Sequence, residues 1–380
     1  MSRPLRIGAD VREWRAGTST GIGRFLSGFL EWAVESAPHE LLLIGNQHTE
    51  QRLAGAAGRA GRAARVQFER HPERSTLAWD HLVLPRWLRR RSIDVFLSPY
   101  YKVPLNAPCP VVATIHDLIP LHYPRPGRGG LHRLLIRRWM RFMLERATRV
   151  VTDSEFSRQD IARTLGLRGG GIEVVPLRLE PALASPPGLA ARDATLRSLD
   201  LRAGYVLYVG RFEPHKNVHL LVEAWSRLDA GLRELHPLVL AGQGGERLAA
   251  AVPGVRALGF VAEKNLPALY AGAEVFAFPS LYEGFGLPPL EAMGCGTAVI
   301  CSTAASLPEV VGEAARLLPP DEAGPWTSAL GELLTDAGAR ASLVAAGRRW
   351  VERYRPQSAA PLLMRVLESS RASNSVGGPS

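Results

Sequence analysis

The chain has 380 residues, of which 46% are hydrophobic, and its formal net charge is +10. This length exceeds what one hydrophobic core usually holds, so the sequence predicts two domains. It contains no run of about 18 apolar residues and no charged-then-apolar leader, so neither a membrane-spanning nor a classically exported protein is expected.

The cysteines indicate the cellular compartment. The three cysteines are Cys109, Cys295 and Cys301. Their odd number and their spacing argue against a disulfide framework or a metal site, so a reducing, cytoplasmic location is expected.

The positive charge is concentrated in the first half of the chain. Residues 1–180 hold 28 Lys+Arg and 17 Asp+Glu, a net +11, whereas the remainder holds 18 and 19, a net −1. The basic first half therefore predicts an anionic partner.

The first 175 residues alternate between apolar runs typical of strands and amphipathic runs typical of helices. The predicted strands are Leu5–Ala9, Glu40–Ile44, Val95–Ser98, Val111–Ile115, Arg149–Thr152 and Glu173–Val175. The main predicted helices are Gly23–Val34, Trp79–Arg91 and Gly130–Ala147. This alternation predicts a parallel, doubly wound sheet.

Two glycines, Gly21 and Gly23, follow the first predicted strand. A dinucleotide fingerprint would need a third glycine where Leu26 stands, so a NAD site is a poor interpretation. From the residues alone, a flexible loop over 15–23 is as good an interpretation as a ligand-binding one.

His116 and Asp117 follow the predicted strand 111–115. A lone histidine at a strand end is more often structural than catalytic. Asp117 could orient His116 or meet an acceptor, and the residues do not choose between these roles.

Residues 131–149 combine six arginines with large apolar side chains, among them Trp139. Arg89, Arg90 and Arg91 form a second basic cluster near Trp87. A basic amphipathic helix with tryptophan can lie on an anionic membrane surface. A domain helix with a solvated arginine face would show the same pattern.

Residues 177–200 are rich in Pro, Ala and Gly and are expected to connect the two domains. Strands are then predicted at Tyr205–Val209, Leu238–Ala241, Val255–Leu258, Val275–Phe278 and Ala298–Cys301, with helices between them. A last helix is predicted over 356–370, and the small, polar residues 374–380 are expected to be disordered.

Residues 210–217, Gly-Arg-Phe-Glu-Pro-His-Lys-Asn, follow the first strand of the second half. Asn217 is a good N-cap for the helix predicted after it. Arg211 and Lys216 would then lie at a helix N-terminus, where two cations and backbone amides can hold a diphosphate. Solvated surface cations are the alternative.

Residues 283–291, Glu-Gly-Phe-Gly-Leu-Pro-Pro-Leu-Glu, follow the apolar run 275–279. Proline is tolerated in the first helical turn, so Pro288 and Pro289 predict a helix start. Glu283 would leave the strand and Glu291 would lie early in the helix, on either side of an anion-binding turn. A sugar nucleotide carries both hydroxyls and phosphates and suits this arrangement, while a glycosidase carboxylate pair is the other interpretation.

Together, the Gly-Arg…Lys-Asn and Glu-Gly-Phe-Gly-Leu…Glu segments resemble the retaining, nucleotide-sugar-dependent glycosyltransferases of family 4. The resemblance covers most of the chain and includes the Gly-Ile-Gly-Arg-Phe run at 21–25 and the Thr-Ile-His-Asp-Leu run at 114–118. It departs from the family at 177–178, where Leu-Arg replaces the frequent Asn-Gly.

The resemblance implies the α/β fold named GT-B, two Rossmann-like doubly wound domains facing a cleft. The expected parts are an acceptor-side domain over 1–180 and a nucleotide-sugar domain over 181–355. A C-terminal helix over 356–373 is expected to cross back and pack on the first domain.

The resemblance also implies roles for individual residues. Arg211 and Lys216 would neutralise the leaving diphosphate, Glu283 would hold sugar hydroxyls, and His116 would contact the donor sugar from the first domain. Glu291 would accept hydrogen bonds from the ribose, and Asp117 is assigned to the acceptor side. The donor-binding residues implied are Gly21, Gly23, Gly210, Gly284, Phe285, Gly286, Leu287 and Glu291.

The chain has no Asp-x-Asp metal motif, so transfer without a metal or other cofactor is expected. The resemblance is to bacterial mannosyltransferases of surface-polysaccharide assembly, which implies GDP-mannose as donor and a glycan, lipid-linked or small-molecule hydroxyl as acceptor. Two alternatives remain at this point: a glycoside hydrolase or phosphorylase using Glu283 and Glu291, and a non-catalytic polyanion-binding protein. Nucleic acid is not an expected partner, because no recognised nucleic-acid motif occurs.

Overall fold

Two sheets organise the chain in a computed structural model, which describes residues 3–14, 21–36, 38–49, 66–72, 75–124, 127, 129–167 and 171–372. The chain divides into two units, residues 1–178 with 356–380 and residues 179–355. The predicted tail 374–380 and the first part of the predicted loop 15–23 lie outside the described residues.

The first unit contains a seven-stranded parallel sheet with the order β3-β2-β1-β4-β5-β6-β7. Its register places Ile7 of β1 beside Leu41 of β2 on one side and Val95 of β4 on the other. The strands are β1 Arg6–Asp10, β2 Glu40–Gly45, β3 Val66–Arg70, β4 Val95–Ser98, β5 Val111–Thr114, β6 Arg149–Thr152 and β7 Ile172–Val174.

Helices connect these strands and cover a mainly aliphatic core that also contains Trp79, Trp87 and Phe96. The helical segments are Gly21–Ser36, Thr76–Ala78, the π turn Trp79–Val83, Leu84–Arg90, Ile119–His122, Gly130–Leu144, Glu155–Leu165 and Pro356–Ala372. The last of these packs on Gly21–Ser36 and on β4 and β5 of its own unit.

The second unit contains a six-stranded parallel sheet with the order β10-β9-β8-β11-β12-β13. The strands are β8 Tyr205–Val209, β9 Leu238–Ala241, β10 Val255–Gly259, β11 Ala273–Phe278, β12 Ala298–Ser302 and β13 Arg316–Leu318. The helices are Pro181–Ala184, Leu189–Ser198, Val218–Ser226, Ala230–Leu235, Glu246–Ala251, Leu266–Ala271, Leu287–Gly294, Leu307–Val311, Ala323–Thr335 and Ala337–Trp350. Short 3₁₀ turns lie at Pro214–Lys216, Glu263–Asn265, Gly312–Ala314 and Val351–Tyr354.

The predicted doubly wound α/β fold is confirmed in both units. Two edge strands, β3 and β13, were not predicted, because half-exposed edge strands lack the continuous apolar run of a buried strand. Residues 177–200, predicted to connect the two domains, are partly helical. Helices form at Pro181–Ala184 and Leu189–Ser198, because proline fits the first helical turn and alanine, leucine and arginine favour helix.

In the described residues, no helix is long and apolar enough to span a membrane. The three cysteines are free thiols, and burial raises the pKa of Cys109 and of Cys295 to about 12. Thiols of this kind are poor nucleophiles near neutral pH.

The departure at 177–178 has a structural explanation inside the first unit. Arg178 is buried and lies across Gly28, where an added Cβ would come within 2.6 Å of the Arg178 Nε. Its guanidinium donates to the Ser27 carbonyl oxygen at 3.1 Å and pairs with Glu31. Arg178 therefore ties the end of the first unit to the helix Gly21–Ser36.

Candidate functional site

Strand order reverses once in each sheet, between β1 and β4 in the first unit and between β8 and β11 in the second. Crevices at the carboxyl ends of such strands are where open α/β sheets bind ligands. The predicted donor-binding residues of the second unit follow β8 and β11, so the chain order places them at the reversal of the second sheet.

The second unit brings Lys216 and Glu283 together. Lys216 ends the 3₁₀ turn after β8, and Glu283 lies on the loop after β11. The Lys216 Nζ donates to Glu283 Oε1 at 2.6 Å, and both side chains are mostly buried, at 16% and 9% exposed. The pair thus holds a cation and a carboxylate side by side at the strand reversal.

Arg211 lies beside this pair in the sequence but remains exposed. Its side chain is 73% exposed, and its nearest carboxylate is Glu213, at 3.6 Å. The Tyr208 hydroxyl donates to the Arg211 carbonyl oxygen at 2.7 Å and fixes the backbone after Gly210. The Arg211 backbone is thus fixed while its guanidinium stays exposed, so the guanidinium is accessible to an anionic ligand.

The loop 283–287 ends at the helix Leu287–Gly294, whose N-cap is Gly286. Gly286 has φ of 101°, a left-handed conformation that favours glycine. An added Cβ there would also lie 2.6 Å from Leu307 Cδ2. Gly284, Phe285, Gly286 and Leu287 therefore form a backbone turn at a helix N-terminus, as predicted, with Pro288 and Pro289 in the first turn.

Ser306 supports this turn and was not anticipated. Its buried hydroxyl lies 3.0 Å from the Glu283 carbonyl oxygen and 2.8 Å from that of Phe285. The sequence offered no signal for Ser306, because it precedes a different helix. The contact holds the backbone on both sides of Gly284.

Glu291 lies inside the unit, 1% exposed, and its Oε2 accepts a hydrogen bond from the Tyr270 hydroxyl at 2.7 Å. Its assignment to the nucleotide ribose stays a prediction. A glycosidase pair of Glu283 and Glu291 is disfavoured, because one carboxylate is buried against a tyrosine and the other is neutralised by a lysine.

Asn217 occupies the predicted N-cap position of the helix Val218–Ser226 but does not cap it with its side chain. Its φ is 53°, and its Nδ2 donates to the carbonyl oxygens of Pro279 at 3.3 Å and Pro320 at 2.8 Å. The prediction of a side-chain cap was wrong, because the left-handed backbone turns the amide toward the end of β11.

In the first unit, His116 follows β5 and pairs with Asp153, which follows β6. His116 Nδ1 lies 2.7 Å from Asp153 Oδ2, and Nε2 lies 3.3 Å from the Pro99 carbonyl oxygen. Burial lowers the pKa of His116, but the charge of Asp153 and its hydrogen bond outweigh burial, and the pKa is raised. Asp153, which ends the run Val-Val-Thr-Asp, was missed because its partner lies 37 residues away.

Asp117 lies next to His116, and its charge contributes to the raised pKa of His116. Its Oδ1 accepts from the Ile119 backbone amide at 2.9 Å and fixes the start of the short helix Ile119–His122. Asp153 therefore fills the orienting position, and the acceptor-side assignment of Asp117 stays a prediction.

A second buried cluster, which the sequence analysis missed, surrounds Arg12 at the strand reversal of the first sheet. Its guanidinium lies 2.7 Å from Asp80 Oδ1 and 3.0 Å from Asp10 Oδ2, and its Nε donates to the Tyr100 hydroxyl at 3.2 Å. The guanidinium carbon lies over the Trp79 ring at 4.8 Å and the Tyr100 ring at 5.5 Å. Burial raises the pKa of Asp10 to about 6, against the opposing charge of Arg12.

This cluster adjoins His116 through the chain, because Pro99 contacts His116 and Tyr100 contacts Arg12. The carboxyl ends of β1, β4, β5 and β6 thus form one connected polar edge.

Gly21 and Gly23 are the first residues of the helix Gly21–Ser36, which begins two residues earlier than predicted. Gly21 is exposed and Gly23 is buried. The donor contacts assigned to both glycines and to His116 stay predictions.

Comparison with known proteins matches both units to sugar-transfer families. Residues 203–336 match the family model Glycosyl transferases group 1, and residues 20–177 match the model Glycosyltransferase Family 4. The chain belongs to glycosyltransferase family 4. The predicted family is therefore confirmed.

Two curated relatives of this glycosyltransferase are named mannosyltransferases. The O-antigen chain mannosyltransferase B of Escherichia coli is 35% identical over 56% of this chain and 58% of its own length. The MMP alpha-(1->4)-mannosyltransferase of Mycolicibacterium hassiacum is 34% identical over 69% of this chain and 66% of its own length. The chain thus spans somewhat over half the length of the first relative.

Solved structures share the GT-B fold of this glycosyltransferase. The Anabaena protein Alr3699/HepE, solved in complex with UDP-glucose, superposes with a TM-score of 0.74 at 18% identity. The match covers 96% of this chain and 100% of that one. At this identity the likeness establishes the fold alone.

The His116–Asp153 pair leads to the first test on this glycosyltransferase. In Asp153→Asn, we expect the pKa of His116 to fall below its value in the native chain, because burial then acts without the charge of Asp153, the largest of the contributions that raise this pKa. Stability from this pair is fully present below the unfolded histidine pKa and is lost as the pH rises through the folded one. NMR titration of labelled histidines, assigned with His116→Gln, measures the change.

Asp160→Asn is the matched control, because Asp160 is a buried carboxylate paired with another histidine, His122, at 2.8 Å in the same unit. It should leave the His116 titration in place. A His116 pKa that is unchanged in folded Asp153→Asn would contradict the orienting role of Asp153.

The Arg12 cluster leads to a test of stability. Arg12→Met removes the cation that pairs with buried Asp10 and leaves Asp80 with Lys102 at 3.6 Å, so we expect the free energy of unfolding to fall by about 3–5 kcal/mol. Because ionised Asp10 carries the penalty and its folded pKa is already raised to about 6, the loss should be smaller near about pH 5 than near about pH 8. Urea unfolding at both pH values, with exposed Arg202→Met as control, measures the loss. An equal loss at both pH values would exclude Asp10 as its source.

Proposed function

We propose that this family 4 glycosyltransferase moves a mannosyl group from GDP-mannose to a hydroxyl of a glycan, lipid-linked or small-molecule acceptor. The proposed reaction retains the anomeric configuration and needs no metal. The observation that carries the proposal is the Lys216–Glu283 pair at the strand reversal of the second sheet, beside the N-terminus of the helix Leu287–Gly294.

The cations near this turn suit a leaving diphosphate. Lys216 provides a mostly buried ammonium, Arg211 an exposed guanidinium, and the helix start provides backbone amides. Fixed donors of this kind stabilise the charge that develops on a leaving group, and they do so most strongly where water is excluded. This arrangement supports a donor that carries two phosphates.

Glu283 suits the sugar end of the same donor. Its carboxylate is 9% exposed, and the Lys216 Nζ holds its Oε1 at 2.6 Å. An ionised carboxylate can accept hydrogen bonds at several lone-pair sites, so it can accept sugar hydroxyls while it still contacts lysine. We assign Lys216 to the phosphate and Glu283 to the hydroxyls.

The names of the relatives support mannose as the transferred sugar. Both curated relatives reported above are named mannosyltransferases, and one of them is an O-antigen chain enzyme. The three free cysteines, two of them buried, are in keeping with a reducing, cytoplasmic location, which we propose together with a role in surface-polysaccharide assembly.

The donor, the stereochemistry and the metal requirement are tested together. We expect GDP-mannose and GDP to raise the melting temperature more than UDP-glucose or UDP, because a ligand of the native state stabilises it by mass action. NMR of the product should show the same anomeric configuration as the donor, and chelator should leave the rate unchanged. Inversion, or activity lost in chelator and restored only by a divalent ion, would contradict the proposal.

The roles of the ion pair are tested by substitution. Glu283→Gln and Lys216→Met should each lower kcat about 10²–10³-fold, because each removes a group that stabilises the transition state. The two variants should keep a cooperative unfolding transition, since each substitution preserves most of the side-chain volume.

Glu332→Gln is the control for these variants. It breaks an exposed ion pair with Arg316 in the same unit, at 2.7 Å, and should leave transfer near the native rate. If folded Glu283→Gln or Lys216→Met kept native turnover, the role assigned to that residue would be wrong.

A further inference from the structure

The helix Gly130–Leu144 of the first unit has one face packed against its core and three further rows of side chains exposed. The packed row consists of His132, Ile136, Met140, Met143 and Leu144, which are buried or half-buried. These positions recur every three or four residues, as they must for one face of an α-helix. The exposed rows are therefore set by the remaining positions.

Large apolar side chains form one exposed row. Leu131, Leu135, Trp139 and Phe142 are spaced by four, four and three residues, so they follow one flank of the helix. Their exposures are 71%, 56%, 42% and 38%. Among the described residues, eleven large hydrophobic side chains are exposed, and five of them, including Leu134, belong to this helix. Such a concentration of exposed apolar surface marks an interaction site.

Arginines form the row on the opposite flank. Arg133, Arg137 and Arg141 are spaced by four residues, and Arg138 lies with Leu134 between the two flanks. All four arginines are exposed. In the described part of the chain, the ion pair found on these four is that of Arg141 with Glu145, at 2.7 Å. The arginine flank therefore keeps most of its positive charge for an external partner.

The apolar row is organised around its aromatic residues. The Trp139 and Phe142 rings stack with centroids 5.9 Å apart, and the Arg146 guanidinium lies 4.4 Å from the Phe142 centroid. A tryptophan on the apolar row with arginines beside it is the arrangement of helices that lie in the plane of a lipid–water interface.

We infer that this helix docks on an anionic lipid bilayer, with Leu131, Leu135, Trp139 and Phe142 among the acyl chains and the arginines at the headgroups. An acidic polymer would use the arginines and leave the apolar row exposed. A second copy of the chain would place like charges against each other across a symmetric contact. The bilayer is the partner that would contact both the apolar row and the arginines. Membrane docking is a property separate from the transfer reaction proposed above.

The experiment is flotation of the full chain with vesicles of phosphatidylcholine, or of phosphatidylcholine mixed with phosphatidylglycerol, without any nucleotide sugar. We expect binding to the anionic vesicles at low salt, weakened by added salt because screening shortens the range of the attraction. Leu135→Ser with Trp139→Ala, and separately Arg137→Glu with Arg138→Glu, should each lower the bound fraction about tenfold or more.

The control variant carries the same kinds of change in the second unit, Phe260→Ser with Arg202→Glu, both at exposed positions. It should float like the native chain. Transfer to a water-soluble acceptor should be unchanged in all three double variants, which separates a failure of docking from a failure of the proposed reaction.

Four outcomes would overturn the inference. The first is equal binding to neutral and anionic vesicles, and the second is binding that neither helix variant changes. The third is loss in the arginine variant alone, with the apolar variant floating normally, which would indicate a soluble polyanion as the partner. Self-association in solution that the apolar variant abolishes would assign the row to a contact between copies.

Discussion

The ion pair between Lys216 and Glu283 joins two loops that lie 67 residues apart in the sequence. Each partner is mostly buried, and a buried charge without its partner is strongly unfavourable, so neither loop can adopt its conformation independently of the other. Ser306 adds a second constraint by bonding the backbone on both sides of Gly284. The turn at the helix Leu287–Gly294 is thus held in place before any ligand arrives, which lowers the entropic cost of binding.

The two sheets have the same strand order around the reversal, but the charged side chains there differ in their exposure to solvent. In the second unit, the segment after β8 carries an exposed Arg211 and the mostly buried Lys216, which pairs with Glu283. In the first unit, Arg12 is 2% exposed and its hydrogen bonds end on groups of the same unit. A cluster of this kind fixes the carboxyl ends of β1 and β4, and it positions Pro99 against His116. The polar groups at the first reversal are therefore buried against one another, whereas Arg211 at the second reversal is exposed.

Local sequence patterns identified Lys216 and Glu283, but their hydrogen-bond partners depend on tertiary contacts that the patterns do not reveal. The buried strands were predictable because both faces of a parallel sheet demand continuous apolar runs, whereas β3 and β13 lie at edges and lack them. Glu283 and Lys216 were predicted separately from their loops, but the bond between them was not. Asp153, Arg12 and Asp80 were missed, since each gains its role from a partner dozens of residues away that no spacing reveals. For Asn217, the helix N-cap position was predicted correctly but the side-chain hydrogen bonds were not, because its amide donates to Pro320 and Pro279 instead of capping the helix.

The positive charge of the first 180 residues illustrates why net charge alone does not identify a partner. Arg12 and Arg178 are buried in pairs that stabilise their own unit, and Arg90 and Arg91 are held by Glu69. Neutralised arginines of this kind contribute to the count but little to the external field. Arg133, Arg137 and Arg138 are exposed along one helix beside an unpacked apolar row. Because attraction to an anionic surface depends on charges that face it within a Debye length, the arrangement on this helix has more predictive value than the net +11.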